Sequence, residues 1–254
     1  MLQQLTPTTL LIGVCLFGSA CGLQSLWEDH SYFVSLDYKE SGGHLCNGAL
    51  INPRTIIVAA SCIARQPNAR AKDLEVTLSP RVFRKFNVRD VLIHPNYDPG
   101  TSESDVAIVY LKYPVYYSVH TTQNLQLGTV GYDSMVAEVT LEQEDVLNLR
   151  LLNTTKSNSS CVSDHTTVCA VSVEADNLCT TNRGGPVIDL YTESLVGIGS
   201  FKPDELCNPG EPEGFTRIDL FKFWIDAEIA KLPVLNFNHY LSNFMNSLGK
   251  LWSE

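Results

Sequence analysis

Short apolar segments with a two-residue period recur along the chain from residue 32 to residue 201, and turn residues separate them. Alternation of this kind is typical of half-buried β-strands. We predict strands at 32–38, 49–51, 55–60, 74–78, 88–93, 106–111, 135–141, 167–171, 186–190 and 195–201. Many short strands in succession indicate an all-β sandwich or barrel.

The C-terminal part of the chain changes to a helical period. Residues 218–231 have helical spacing and are followed by Pro233, which favours a helix end there. Beyond it, one face of a second helix would carry Tyr240, Leu241, Phe244, Met245, Leu248, Leu251 and Trp252. We therefore predict an amphipathic helical extension at 232–254, with its helix at 238–252. Its apolar face either packs on the chain itself or docks on a partner, and a membrane surface is disfavoured because the polar face has almost no Lys.

Composition places the chain among folded domains and excludes one class of partner. The 254 residues are 44% hydrophobic and 18% charged, which is enough to bury a core in one large β domain or two small ones. The formal net charge is −10 and no run of basic residues occurs. Because binding to phosphates needs clustered Lys and Arg, we expect no nucleic-acid partner.

The N-terminus has the pattern of a secretory signal peptide at 1–22. An apolar core, L-L-I-G-V-C-L-F at 10–17, precedes the small residues G-S-A-C-G. Cleavage after Ala20 or Gly22 fits this pattern, and Gly22 leaves six cysteines, an even number suited to an oxidising compartment. A lipoprotein anchor at Cys21 is disfavoured, because no large aliphatic residue stands three places before it. We expect a secreted, extracellular protein without a membrane span, since no later segment has 18 apolar residues.

Two glycosylation sequons support export to that compartment. They begin at Asn153 and Asn158, inside the polar stretch L-N-T-T-K-S-N-S-S-C. We predict that this stretch is one exposed loop, in which both asparagines are accessible to modification.

Several ordered motifs together identify a known family. They are H-L-C-N-G-A-L-I-N-P-R-T-I-I-V-A-A-S-C at 44–62, H-P-N-Y at 94–97, S-D-V-A-I-V-Y-L at 104–111, C-T-T-N-R-G-G-P-V at 179–187 and P-E-G-F-T-R-I-D-L-F-K-F-W-I near the C-terminus. In this order they resemble a chymotrypsin/trypsin-like serine protease domain over residues 32–230. The resemblance implies two antiparallel six-stranded β-barrels with a C-terminal helix, to which this chain adds a helical tail. The domain would span 23–231, with barrel one at about 23–115 and barrel two at about 125–220.

The catalytic triad that the resemblance implies is incomplete. Asp105 stands at the carboxylate position, but Ser61 stands at the base position and Arg183 at the nucleophile position. A serine hydroxyl does not accept a proton at neutral pH, and a guanidinium does not attack a carbonyl. We therefore predict that the chain is not an enzyme, and neither a cofactor nor a metal site is indicated by its histidines.

The surroundings of the triad are altered too. Thr181 and Asn182 replace the glycine and aspartate that precede the family's nucleophile, and no basic residue followed by I-V-G-G marks an activation site. By resemblance, Asn177, Lys202 and Glu213 stand at positions of the specificity pocket, which we expect to be narrowed or filled. Arg183 either pairs with Asp105 or Glu213 or points to solvent.

The resemblance also implies three disulfides. Cys46 would pair with Cys62, Cys161 with Cys169, and Cys179 with Cys207. Six cysteines allow fifteen pairings, so this pattern rests on the family and not on arithmetic.

Taken together, the residues and the resemblance favour a secreted, inactive serine protease homologue. Such a module would bind a protein partner, namely an active protease, an inhibitor or a receptor, with the helix at 238–252 as one docking element. One alternative is a structural secreted protein without a specific partner. The other is a hydrolase with a displaced nucleophile such as Ser61 or Ser200, which would need a base that the sequence does not offer.

Overall fold

The computed structural model describes residues 30–66, 69–78, 84–115, 125–142, 146–155, 161, 166–173, 184–200 and 213–232. Several predicted features therefore lie outside the described residues. These are the signal peptide at 1–22, the tail beyond 232, Asn158, Asn177, Cys179, Arg183, Lys202 and Cys207.

The first half of the chain closes into an antiparallel six-stranded barrel. Its strands are β1 (Phe33–Tyr38), β2 (His44–Asn52), β3 (Thr55–Val58), β4 (Leu74–Leu78), β5 (Lys85–Ile93) and β6 (Ala107–Leu111). They follow the order β1-β2-β3-β6-β5-β4, and β4 pairs again with β1. The alternation in the sequence explains β4, where Leu74, Val76 and Leu78 are buried and the residues between them are less so.

The second half repeats this topology in another closed antiparallel barrel. Its strands are β7 (Met135–Glu142), β8 (Val146–Thr155), β9 (Thr167–Ser172), β10 (Pro186–Asp189), β11 (Ser194–Gly199) and β12 (Glu213–Arg217). The order β10-β11-β12-β9-β8-β7 closes through the pairing of β10 with β7. The predicted all-β fold with two six-stranded antiparallel barrels is confirmed.

An apolar cluster fills the second barrel. It contains Val130, Val136, Leu152, Val168, Ala170, Val187, Val196 and Phe215. Because Val136 and Leu152 face inward, the alternation of the strands brings Glu138 and Arg150 to inward positions as well. This barrel therefore has charged side chains inside, and they belong to the site described below.

Short helices connect and follow the strands. Helix α1 (Ala60–Ala64) follows β3, and 3-10 helices span Ala71–Asp73 and Asp219–Phe221. The prediction of a strand at 55–60 was wrong at its end, because the strand stops at Val58 and α1 begins at Ala60. None of the described helices is both long and apolar enough to cross a membrane.

A second compact unit begins at Phe221. Its described part is helix α2 (Lys222–Ala230), which is shorter than the predicted helix at 218–231. Pairs of Lys222 with Asp226 and of Lys231 with Glu228 lie along it, and such exposed pairs add a few tenths of a kcal/mol, about 0.3–0.5 each. Phe223 is 91% exposed on this helix.

Strand β8 was not predicted, and its course corrects the interpretation of the sequons. We expected an exposed loop from residue 152 onward, but Asn153, Thr154 and Thr155 belong to β8. Asn153 pairs with Met135 on β7 and with Val171 on β9. Its side chain is nevertheless exposed, because it points away from the barrel interior.

Two of the disulfides implied by the resemblance are present. Cys46 on β2 is bonded to Cys62 on α1, and Cys161 is bonded to Cys169 on β9. Each crosslink restricts the unfolded chain, which typically stabilises a fold by about 2–4 kcal/mol.

Candidate functional site

A buried aspartate lies where the two barrels meet. Asp105 follows a turn in which Ser102 and Ser104 have positive φ angles of 60° and 55°. The backbone N–H of Ser104 donates to the Thr166 hydroxyl at 3.2 Å, which ties this turn of the first barrel to the second. The turn directs Asp105 inward, where its solvent exposure is 0%.

The carboxylate of Asp105 accepts hydrogen bonds from both barrels. The backbone N–H of Ser61 donates to Oδ1 at 2.6 Å, and the Ser61 hydroxyl donates to Oδ2 at 2.8 Å. The hydroxyl of Ser200, which follows β11, donates to Oδ2 at 2.6 Å. Among the described residues, the hydrogen-bond donors to this carboxylate are thus one backbone amide and two serine hydroxyls.

Burial governs the charge state of this group. Removal from water raises the pKa of Asp105 above its usual range, and the hydrogen bonds from Ser200 and Ser61 oppose this rise without cancelling it. The guanidinium of Arg65 also favours the charged form. The site is therefore a desolvated carboxylate held mainly by neutral donors.

This geometry has a clear chemical limit. Both hydroxyl protons are directed at the carboxylate, so neither serine is activated by a separate base. An aspartate that already accepts two hydroxyls can hold them in place, but a triad requires an imidazole between the carboxylate and the nucleophile.

The loop after Arg183 keeps a glycine for a steric reason. Gly184 has a φ of +75°, and a Cβ atom there would lie 2.2 Å from the Asn47 carbonyl oxygen and 2.8 Å from Cys46 Sγ. Its N–H donates to the Gly199 carbonyl at 2.9 Å. Only glycine fits where this loop of the second barrel approaches β2. The packing of the loop therefore requires Gly184 independently of any catalytic activity.

The predicted pocket residue Glu213 lies in an ion network inside the second barrel. Its carboxylate accepts from Arg150 Nη1 at 2.6 Å and from Nη2 at 2.7 Å. Arg150 also donates through Nε to Glu138 Oε2 at 2.9 Å, and Nη2 contacts the same oxygen. One guanidinium therefore bridges two carboxylates, and Glu138 is 0% exposed.

Pairing determines the charge of Arg150 in this setting. Burial alone would lower the pKa of Arg150, but the hydrogen bonds and charges of Glu213 and Glu138 raise it well above the usual range. The guanidinium stays charged, and removing either the arginine or the glutamates would leave uncompensated charge in the barrel.

The sequence predicts Asp105, Ser61 and Glu213 as site residues, but not Glu138 or Arg150. Their signal was present, because each places a charge among apolar residues at an inward position of a strand, in V-A-E-V and in L-R-L. The structure brings Ser61 and Asp105 together, and it adds Ser200 to them. Glu213 is held by Arg150, whereas the predicted pairing of Arg183 falls outside the described residues.

A separate cluster joins a serine, a histidine and an aspartate on the first barrel. The Ser35 hydroxyl donates to Asp37 Oδ1 at 2.6 Å, and His44 Nδ1 lies 2.8 Å from that hydroxyl and 3.3 Å from the carboxylate. Thr77 donates to Asp37 Oδ2 at 2.9 Å. Burial would raise the pKa of Asp37, but the hydrogen bonds from His44, Ser35 and Thr77 outweigh it and lower the pKa. Because the serine proton is directed at the aspartate, this cluster does not have the order of a triad.

Two closed antiparallel barrels that enclose a buried aspartate between them define a class, the two-barrel serine protease fold. A family model described as Trypsin matches residues 19–225. The chain belongs to the trypsin family.

Individual relatives differ in what their names state about activity. Brachyurin from Leptuca pugilator is 27% identical over 75% of this chain and 90% of its own. Inactive serine protease scarface from Drosophila melanogaster is 25% identical over 74% of this chain but only 30% of its own. The structure of scabies mite inactivated protease paralogue S-I1 superposes with a TM-score of 0.66 at 19% identity, covering 80% of this chain and 95% of that one. That identity shows the fold alone, and the family as a whole does not decide activity.

We predict that Asp105→Asn gains stability relative to the unsubstituted protein as pH rises above about 4. The folded pKa of Asp105 is raised, so the folded protein binds more protons than the unfolded one between the two pKa values. The unfolding free energy of the unsubstituted protein therefore falls as pH rises through that window. The asparagine of the variant does not titrate, so the variant lacks this fall. Denaturant unfolding between pH 3 and pH 7 measures the difference.

Asp37→Asn is the matched control with the opposite sign. The folded pKa of Asp37 is lowered, so its stabilisation is complete above the unfolded pKa and is lost as pH falls through the folded pKa. Parallel pH profiles for the two variants would contradict the assignment of Asp105 as a desolvated carboxylate.

We predict that Arg150→Met destabilises the protein by about 3–5 kcal/mol, because it removes the guanidinium that bridges the carboxylates of Glu138 and Glu213 in the second barrel. The triple variant Glu138→Gln, Arg150→Met, Glu213→Gln should recover much of this loss. Arg217→Met is the control, since Arg217 pairs with Asp219 at the surface and such pairs contribute about 1 kcal/mol or less. Chemical denaturation measures all three, and equal losses for Arg150 and Arg217 would contradict the network.

Proposed function

We propose that this protein is a secreted serine protease homologue without peptidase activity, which binds a protein partner and thereby regulates extracellular proteolysis. The observation that carries the proposal is the engagement of Asp105, whose carboxylate accepts the hydroxyls of Ser61 and Ser200. In a working triad this carboxylate would orient an imidazole.

The substitutions at the triad positions support inactivity. Ser61 is 1% exposed, and its hydroxyl lacks the basicity to take a proton from a nucleophile at neutral pH. Arg183 at the nucleophile position stays protonated. By resemblance, Thr181 and Asn182 replace a glycine and an aspartate in the loop that would form an oxyanion hole, where a single donor is worth about 2.7–4 kcal/mol.

The network around Arg150 supports a closed specificity pocket. In this proposal Glu213 replaces a small residue that leaves the pocket open, and its carboxylate is bound to Arg150. In this proposal the guanidinium of Arg150, which is bound to Glu213, fills the pocket. A basic substrate side chain would have to displace Arg150 from two carboxylates.

The displaced-nucleophile hydrolase is not favoured. Ser61 and Ser200 both donate to the same carboxylate, and Ser35 donates to Asp37. A hydrolase would need one of these hydroxyls to donate to a base that titrates near neutral pH.

A binding role fits what the chain retains. The disulfides of both barrels and the steric requirement at Gly184 keep the scaffold rigid, and rigid barrels present their loops as recognition surfaces. The sequence pattern of the N-terminus and the disulfides support secretion. The predicted helix at 238–252 provides an apolar face for a partner.

We predict that the protein reacts with a fluorophosphonate serine probe at least about a thousandfold more slowly than trypsin. Ser35→Ala, Ser61→Ala and Ser200→Ala should leave this background rate unchanged, because none of these hydroxyls is activated. Gel fluorescence over time measures the labelling. A rate close to that of trypsin that one alanine variant abolishes would locate a nucleophile and refute inactivity.

We predict that crosslinking in native extracellular fluid captures a protease, an inhibitor or a receptor, and that Phe244→Asp reduces this capture about tenfold or more. The aspartate places a charge on the apolar face of the predicted helix. Asn246→Asp adds the same charge on the opposite face and should leave capture unchanged. Mass spectrometry of the crosslinked products measures all three chains, and the absence of any partner would favour the purely structural role.

A further inference from the structure

The outer face of the second barrel carries an apolar strip beside an exposed asparagine. Asn153 lies on β8, and its neighbours across the strands are Met135 on β7 and Val171 on β9. Leu151, two residues earlier on β8, points to the same side, and Val173 donates its N–H to the Leu151 carbonyl at 3.0 Å. We call Met135, Leu151, Val171 and Val173 the outer strip.

This strip is exposed although it is apolar. Met135 is 42% exposed and Val173 is 55% exposed, while Leu151 and Val171 are partly covered. Asn153 is exposed between them, and Leu152 and Thr154 on either side of it are 0% and 1% exposed. The strand thus presents the Asn153 amide outward at the centre of the strip.

Asn153 is also the first residue of the sequon Asn153-Thr154-Thr155. Among the described residues its side-chain amide has no hydrogen-bond partner, and a chain attached to Nδ2 would leave the barrel without crossing another strand. The first sugar of an N-linked glycan has an apolar face of C–H groups, and it would lie over Met135 and Val173 because both are direct or diagonal neighbours.

We propose that Asn153 carries an N-linked glycan whose first sugar covers the outer strip. In the reaction, the amide nitrogen attacks C1 of an N-acetylglucosamine that is linked to a lipid pyrophosphate. The N–C1 bond forms, the C1–O bond to the pyrophosphate breaks, the amide proton passes to a base of the transferase, and the lipid pyrophosphate leaves. The inference rests on the secretion that is part of the proposed function, and it assigns the glycan a structural role in shielding apolar surface from water.

The test uses the full chain, expressed in secreting insect cells with its own N-terminus or with a heterologous signal peptide in place of residues 1–22. Peptide:N-glycosidase treatment in heavy-oxygen water converts each glycosylated asparagine to a labelled aspartate, which mass spectrometry locates. We expect the label at residue 153 in the unsubstituted chain and in Asn158→Gln. Thr155→Ala keeps Asn153 but removes its sequon, and it should lose the label.

Two outcomes distinguish a failure of the glycan proposal from a failure of the proposed secretion. Export with the heterologous signal only, with the label at residue 153, would refute the native signal peptide and support the glycan. Exported protein without the label at residue 153 from either version would overturn the inference and leave secretion standing.

The shielding is tested by thermal unfolding in the Asn158→Gln background. Enzymatic removal of the glycan should lower Tm by about 2–4 °C. In a chain that also carries Met135→Thr and Val173→Thr, removal should lower Tm by less than half as much, because the sugar has lost its apolar contacts. An equal fall in both chains, or no fall in either, would overturn the proposed contact.

Discussion

The hydrogen bonds to Asp105 are the constraint on which the arrangement of the two barrels depends. Ser61 and Ser200 come from different barrels, and both hydroxyls meet one carboxylate oxygen. A buried carboxylate costs free energy unless its oxygens are satisfied, so the barrels must approach each other closely enough for both serines to reach it. The close contact of Gly184 with Asn47 is a second constraint on the same interface. The site therefore ties the two barrels together at the position where the resemblance places the carboxylate of the catalytic triad.

Two kinds of buried charge coexist in the molecule, one where the barrels meet and one inside the second barrel, and they are satisfied differently. Asp105 is held by neutral donors and its pKa rises. Arg150 is held by two carboxylates and its pKa also rises, which for a base means that the charge is reinforced. Neutral donors compensate burial only in part, whereas opposite charges at short distance compensate it more fully. The ion network can therefore remain charged deep in a barrel, while Asp105 is the more readily neutralised group.

The sequence was sufficient to predict the architecture, because ordered motifs and alternating strands agree with each other. It located Asp105, Ser61 and Glu213 by their places in those motifs. It did not reveal β8, since the polar residues N-T-T suggested a loop where hydrogen bonds to β7 and β9 in fact maintain a strand. It also did not reveal that Ser200 reaches Asp105 or that Arg150 reaches Glu213. Both contacts join residues far apart in the chain, 95 and 63 positions respectively. The packing of one barrel on the other makes the first contact, and the pairing of β8 and β12 with β9 makes the second.

The bridge from Arg150 to two glutamates also limits the order in which substitutions can accumulate. Losing Arg150 first would remove the cation that two buried carboxylates share, at a cost of about 3–5 kcal/mol. This is a large part of the free energy of about 5–15 kcal/mol that separates folded from unfolded chains. Losing Glu138 or Glu213 first leaves the guanidinium one remaining partner. A lineage that leaves this state must therefore change a glutamate before the arginine. The network therefore constrains the order in which these three residues can be substituted, as well as the packing of the second barrel.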